Sequence, residues 1–379
     1  MQMCKCADFF DMQICRHVNV QIFIGFENFI YLHVRTFAHL HIYPHICTFT
    51  HLYIKQMILV TGATGFLGSE VAKQLSEQGN VIRCTKRATS AIPAFLSPYQ
   101  KNIEWVEADL LDIFALENAL KGITQVYNCA AWVSLRQADK EPMIYTNVTG
   151  TANLVDLCRQ NGIRMVHVSS VAAVGDAKPG ELITENHHLD QATETDGYAI
   201  SKLESEMEVW RGIAEGLDAV IVNPSIIIGP NAGTEGSGAL FKTVRDGFKF
   251  YTLGSGGFVD VEDVARCMIA LMNSQISGER FIISAENHDY KSLTAEIADE
   301  FGIKAPSTLA KPWMMELAWR FASFAGAIAR KTPSIDKVSA KAASLTKNFD
   351  NTKIKKATGI EFKPLKTSVR EVCEALKTA

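Results

Sequence analysis

Residues 57–379 predict an α/β protein built on a doubly wound parallel sheet, with a smaller C-terminal α/β substrate-binding region. Three observations carry that prediction. From Met57 onward, short apolar runs alternate with helix-length amphipathic stretches, the signature of strand–helix–strand units. A glycine-rich turn, Thr61-Gly62-Ala63-Thr64-Gly65-Phe66-Leu67-Gly68, joins the first apolar run to the first amphipathic one. After Pro230 the alternation loosens into a Gly- and Ser-rich stretch, 231–238, followed by mixed elements.

Taken in order, residues 57–60 read as a first strand and 65–78 as a helix with Val71 and Leu75 toward the sheet. Strands follow at 80–85, 103–107, 125–129, 164–168 and 218–222, and long helices fit 142–160 and 197–214. Residues 260–272 read as a returning helix and 281–284 as a late strand. The stretch 311–330, rich in Trp, Met, Phe and Ala, suits a membrane-surface helix or a lid over an apolar substrate. A helix packed on the core or a dimer face is expected instead, because a basic polar face is missing. The expected division is a dinucleotide-binding domain over 57–230 and a substrate-binding region over 231–379 that partly returns to the sheet.

Composition narrows the function. The 379 residues carry a formal charge of −3, which argues against nucleic acid, since phosphate binding needs a dense basic face. Nine scattered cysteines fit a reducing compartment, and a cytoplasmic protein is expected. No run reaches the ~18 apolar residues of a membrane span; the best stretch, 18–34, is interrupted by Gln21, Glu27, Asn28 and His33. The leader, residues 1–56, holds six of the ten histidines and four of the nine cysteines. Cys4, Cys6, Cys15 and His17, or His39, His41 and His45, would be its metal ligands, but no compact turn scaffold frames them. The expectation is no metal site, and a leader that is disordered or translated upstream of a start at Met57.

The glycine turn follows a strand and opens a helix, the context that a dinucleotide fingerprint requires. Gly62 permits the tight turn, Gly65 lets backbone approach a pyrophosphate, and Gly68 allows close helix–strand packing. Thr64, Phe66 and Leu67 belong to the same cradle, where the helix N-terminus supplies N–H donors and a positive dipole end. NAD enzymes place an acid about twenty residues further on. Here the second strand ends in Arg83-Cys84-Thr85-Lys86-Arg87 instead. Arg87, helped by Lys86, suits a 2′-phosphate, so NADP(H) is expected over NAD(H), which stays open.

Tyr198-Ala199-Ile200-Ser201-Lys202 falls on a predicted helix, where a spacing of four puts Tyr198 and Lys202 on one face. An ammonium beside a phenol favours the phenolate and eases proton exchange, so Tyr198 suits a general acid or base. Ser169-Ser170 ends the fifth strand at the same sheet edge, where Ser170 would hold a substrate oxygen beside Tyr198.

These segments, with Asn128-Cys129-Ala130-Ala131, Asn147-Val148-Thr149-Gly150-Thr151, Asn223-Pro224, Gly229-Pro230 and 258–265, recur in an order that resembles the extended short-chain dehydrogenase/reductases, the NAD-dependent epimerase/dehydratase family. The resemblance covers 57–379, strongly to about 265, and implies a Rossmann-type fold. It implies that Gly62, Gly65 and Gly68 hold the pyrophosphate, that Asp109 and Leu110 flank the adenine, and that Ala130 and Ala131 line the ribose path. It further implies that Asn147 orders the active-site helix, that Lys202 also binds the nicotinamide ribose, and that Pro224 and Ser225 sit beside the nicotinamide. Ser170, Tyr198 and Lys202 would be the catalytic residues. Val174 departs from the tyrosine that many nucleotide-sugar enzymes carry before the glycine corresponding to Gly175, which bears on substrate.

Within that resemblance the chain is closest to the dihydroflavonol reductase and aldehyde reductase branch: Arg87-Ala88-Thr89-Ser90 resembles its NADP turn, and the connection from Pro230 to Phe258 is short. The expected reaction is reduction of an aldehyde or ketone, or oxidation of the matching alcohol. A nucleotide-sugar epimerase or dehydratase with tightly held cofactor is the alternative, although Val171-Ala172 supplies no carboxylic acid after Ser170. A non-catalytic redox sensor is a third reading. The partner is a small molecule, and the two long helices resemble those that pair family dimers, leaving a homodimer open.

Overall fold

The structure is a computed structural model. It describes residues 57–134, 136–190, 196–234, 236–311 and 344–378, with 313–314, 316–317 and 320, and the strands of residues 18–24, 30–36 and 52–54. The chain divides into two compact units, Met1–Gln56 and Met57–Ala379. In the first, strands β1 (Val18–Ile24), β2 (Ile30–Thr36) and β3 (Leu52–Ile54) pair antiparallel in that order. The leader residues considered as metal ligands and most of 311–330 lie outside the described residues.

The second unit opens with β4 (Met57–Thr61), α1 (Phe66–Glu77), β5 (Ile82–Lys86), β6 (Ile103–Glu107), α2 (Ile113–Ala119) and β7 (Ile123–Asn128). There follow α3 (Lys140–Gln160), β8 (Arg164–Val168), α4 (Gly197–Ala214), β9 (Ala219–Pro224) and β10 (Ile226–Ile228). The remainder is α5 (Gly238–Arg245), β11 (Phe250–Tyr251), β12 (Ser255–Asp260), α6 (Val261–Met272), β13 (Glu279–Ile283), β14 (Glu286–Asp289), α7 (Tyr290–Phe301), β15 (Thr308–Leu309), α8 (Thr352–Thr358) and α9 (Leu365–Thr378).

Seven strands form one parallel sheet in the order β13-β9-β8-β7-β4-β5-β6. Its strands are apolar on both faces because both faces are covered, as parallel sheets require. Alternation divides them: Ile58, Val60, Val166, Val220 and Val222 face the cluster built with α1 and α6. Leu59, Met165, Ala219 and Ile221 face the cluster built with α3 and α4. The chain leaves β4 toward β5 on one side and returns to β7 on the other. Between β4 and β7 lies the topological switch point, where the carboxyl ends of an open sheet leave a ligand crevice.

The C-terminal third splits its service. The strand β13 closes the main sheet beside β9, and α6 packs beneath it. Strands β10, β12 and β14 form a separate small sheet whose own core joins Ile228 and Phe258 to Phe241 of α5, Leu293 of α7 and Val369 of α9.

Candidate active site

The glycine turn is built as its spacing predicts. Gly62 has φ +65°, and a Cβ there would stand 2.7 Å from the Ala130 backbone. The turn closes by a 2.9 Å hydrogen bond from Gly65 N–H to Gly62 C=O. A Cβ on Gly68 would meet Gly62 O at 2.3 Å, so only glycine lets α1 start this close to β4. Gly65 differs: a Cβ would meet Gly62 O alone, at 3.3 Å, with the rest of its surroundings open. No side chain caps α1, which leaves its first N–H groups free for an anion. The Leu67 side chain is buried and Phe66 packs against the same core, so the structure gives both side chains to the interior.

A cavity of about 680 Å³ runs from this turn across the ends of β5, β6 and β7. Gly62, Thr64, Gly65, Arg87, Asp109, Leu110, Ala130, Ala131 and Asn147 line it, along with Lys86, Thr89 and Ser90. Arg87 is exposed at its rim, in a turn closed by Ser90 N–H to Arg87 C=O at 3.0 Å. Asp109 turns its carboxylate to Leu111 N–H, 2.9 Å. The cavity's size, its uncapped helix end and its basic corner fit a dinucleotide.

The switch point is pinned by a buried chain of polar groups. Thr61 Oγ1 donates to Asn128 Oδ1 (2.8 Å) and accepts from Ala130 N–H (3.2 Å). Asn128 Nδ2 lies 3.0 Å from His167 Nδ1. Burial, reinforced by the Lys202 charge, pushes His167 down to about 3, so it is neutral near pH 7.

Asp196 caps α4 by accepting from Tyr198 N–H at 2.9 Å, which fixes the turn that carries Tyr198. The Tyr198 phenol lies near enough to Ser170 for the serine hydroxyl to act on its ionisation, and Ser170 Oγ accepts from Ala172 N–H at 3.2 Å. Burial raises Tyr198 above its ordinary value, and the Ser170 hydroxyl opposes that rise. Lys202, only 5% exposed, donates to Val168 C=O at 3.0 Å. Burial brings its ammonium down to about 8, a fall that nearby Glu206 opposes. The ammonium therefore turns to the end of β8, and burial is the larger influence on the phenol. Asn147 joins three segments: it grips the Trp132 backbone at 2.7 and 2.8 Å and donates to Ser201 Oγ of α4 at 3.2 Å. Pro224 pairs with Ile283 at the end of β9, and Ser225 follows, 6% exposed.

Sequence reasoning passed over Trp132, Val133 and Thr146, which line the cavity without belonging to any spacing pattern. It also passed over Glu206, an ordinary-looking glutamate that is 1% exposed beneath the site. Its place four residues after Lys202 was the one available signal.

A parallel sheet with a glycine-turn crevice at its switch point is the architecture of dinucleotide-binding proteins. Residues 58–284 match the model of the NAD dependent epimerase/dehydratase family. The chain is 29% identical over 320 residues to a putative dihydroflavonol 4-reductase of Synechocystis, an alignment that spans 82% of this chain and 92% of that one. It is 30% identical over 265 residues to sterol demethylase protein B of Methylococcus capsulatus, spanning 68% and 78%. The crystal structure of gox2253 superposes with a TM-score of 0.74 at 29% identity, covering 85% of this chain and 98% of that one. The chain belongs to the NAD-dependent epimerase/dehydratase family, and it is an NAD(P)-dependent oxidoreductase. Among the described residues, no helix is long and apolar enough to cross a membrane.

Proposed function

We propose that the chain is an NADP(H)-dependent reductase of an aldehyde or ketone, able to run the matching alcohol oxidation, with Ser170, Tyr198 and Lys202 as its catalytic residues. The observation that carries this reading is the hydroxyl pair of Ser170 and Tyr198 at the carboxyl edge of the sheet, one helical turn from the buried Lys202 ammonium.

When bound, the nicotinamide supplies the hydride that reaches the carbonyl carbon. Ser170 and Tyr198 hold the carbonyl oxygen between two hydroxyls, where negative charge develops. Tyr198 releases its phenolic proton to that oxygen. Its raised pKa keeps it protonated at neutral pH, the form that reduction needs. Lys202, charged below about pH 8, stabilises the phenolate left behind. Asn147 and Asp196 fix α4, so the hydroxyls are oriented before substrate arrives. The NADP(H) preference rests on Lys86 and Arg87 standing at the end of β5, where a carboxylate would favour NAD(H). Carbonyl reduction also agrees with the reductase name of the Synechocystis relative.

The test is a fluorescence titration with NADPH and NADH, followed by a panel of aldehydes and ketones with NADPH. Tighter NADPH binding, with turnover that Tyr198→Phe abolishes, is the expected result. A cofactor that copurifies and never turns over with carbonyls would overturn it in favour of epimerisation.

A further inference from the structure

We propose that Glu206 is a positioning residue of the active site, its carboxylate fastening the ends of β8 and β9 to α4 so that Ser170 meets Tyr198. The inference rests on the Ser-Tyr-Lys reading above and adds a group that lies outside it.

Glu206 is 1% exposed, and four donors converge on its two oxygens. Oε2 accepts from Ser169 Oγ at 2.6 Å and from Asn223 Nδ2 at 2.8 Å. Oε1 accepts from Arg280 at 3.0 Å and from Trp210 Nε1 at 3.2 Å. The same Asn223 amide donates to Ser170 C=O at 2.9 Å, so β9 holds the backbone of Ser170 as well as the Glu206 carboxylate. Arg280 extends the link outward: it donates to Glu185 C=O at 2.9 and 2.6 Å and to His187 C=O at 2.5 Å, in the loop between Ser170 and α4. One carboxylate thus joins every segment that delivers a catalytic group. A charge buried so deeply is expensive to desolvate, and a carboxylate with this many donors is the arrangement that offsets it.

The position has an electrostatic consequence. Lys202 lies one helical turn before Glu206, and three groups face it: Cys129 from the end of β7, His167 from β8 and Glu206 from its own helix. Burial pushes the Cys129 thiol up to about 12 and His167 down to about 3, so neither is charged between pH 6 and 10. That leaves Glu206 as the neighbour that favours the Lys202 ammonium, and Glu206 is itself paired with Arg280 of β13 at 3.0 Å.

The experiment follows the Lys202 titration directly, by NMR of protein labelled with ¹³Cε-lysine, the signal assigned by its loss in Lys202→Met. In Glu206→Gln the midpoint should fall by on the order of one pH unit, whereas in Arg280→Met it should not fall. Should Glu206→Gln fail to fold, Glu206→Gln/Arg280→Met, which leaves no buried charge unpaired, is compared with Arg280→Met for the same downward shift. A positioning role further predicts that Glu206→Gln loses about 10- to 100-fold in kcat with a smaller change in KM. An unmoved Lys202 midpoint, or an equal fall in both single variants, overturns the proposal and leaves Glu206 a purely structural residue. Absence of turnover in the unmodified protein counts against the reductase reading alone, because the NMR arm needs no substrate.

Discussion

At the scale of single residues, burial decides what each charged or polar group near the crevice can do. Arg87 is exposed at the cavity rim and keeps its charge for a ligand. Arg87→Ala should weaken NADPH binding by about 10- to 100-fold, the worth of one charge-assisted hydrogen bond, and leave NADH binding unchanged; paired fluorescence titrations check this. His167 is the opposite case, 2% exposed with its Nε2 atom unpartnered among the described residues. Its pKa falls from 6.5 to about 3 on folding, so the unfolded chain binds the extra proton between those values. Stability contributed this way is complete above pH 6.5 and is lost as pH falls toward 3. Between pH 7 and pH 5 the protein should lose about 2 kcal/mol more stability than His167→Leu, measured by urea unfolding at both values. The motif residues Gly62, Tyr198 and Lys202 could be read from spacing, because the turn and the helix that carry them are local. Neither Glu206 nor His167 could, since their roles depend on partners 37 and 39 residues away.

At the scale of elements, the glycines of the turn divide their duties. Gly68 separates α1 from the Gly62 carbonyl, and Gly65 fronts open space. Gly68→Ala should therefore lower the melting temperature, by the equivalent of about 1–3 kcal/mol of overpacking. Gly65→Ala should leave the melting temperature near that of the parent and instead remove most dinucleotide affinity, because its methyl occupies the path of the pyrophosphate. Thermal melts beside titrations separate the two. Element boundaries followed the hydrophobic period well: the expected strand at 103–107 and the helix at 197–214 are β6 and α4 as built. The expected start of the second strand at Asn80 moved to Ile82, because the Asn80 N–H and side chain turn back to cap Leu75 C=O at the end of α1. The long stretch 142–160 begins earlier, at Lys140, since Pro142 is tolerated in a helix's first turn.

At the scale of the whole molecule, the C-terminal segment ties down the loop between β8 and α4. Phe349 packs with Val174, Ile183 and Ile282, and its neighbours bracket the loop after Ser170: Ile183 N–H donates to Asn348 C=O at 2.7 Å and Asp350 N–H to Ile183 C=O at 2.8 Å. Phe349→Ala should cost about 3–5 kcal/mol and speed amide hydrogen exchange at Ile183. Exchange unchanged there, with the stability loss confined to the C-terminal segment, would show that the loop stands without it.

The sequence by itself determined the doubly wound sheet, the dinucleotide crevice and the Tyr198–Lys202 face. Each depends on short-range periodicity or on the conformational freedom of glycine, and the chain encodes both within a few residues. Only the tertiary structure decided that burial brings Lys202 to about 8 and raises Tyr198, that Glu206 and Arg280 pair beneath them, and that Phe349 closes over the loop after Ser170. Desolvation and ion pairing depend on which distant segments surround a group, and no local pattern in the chain records that.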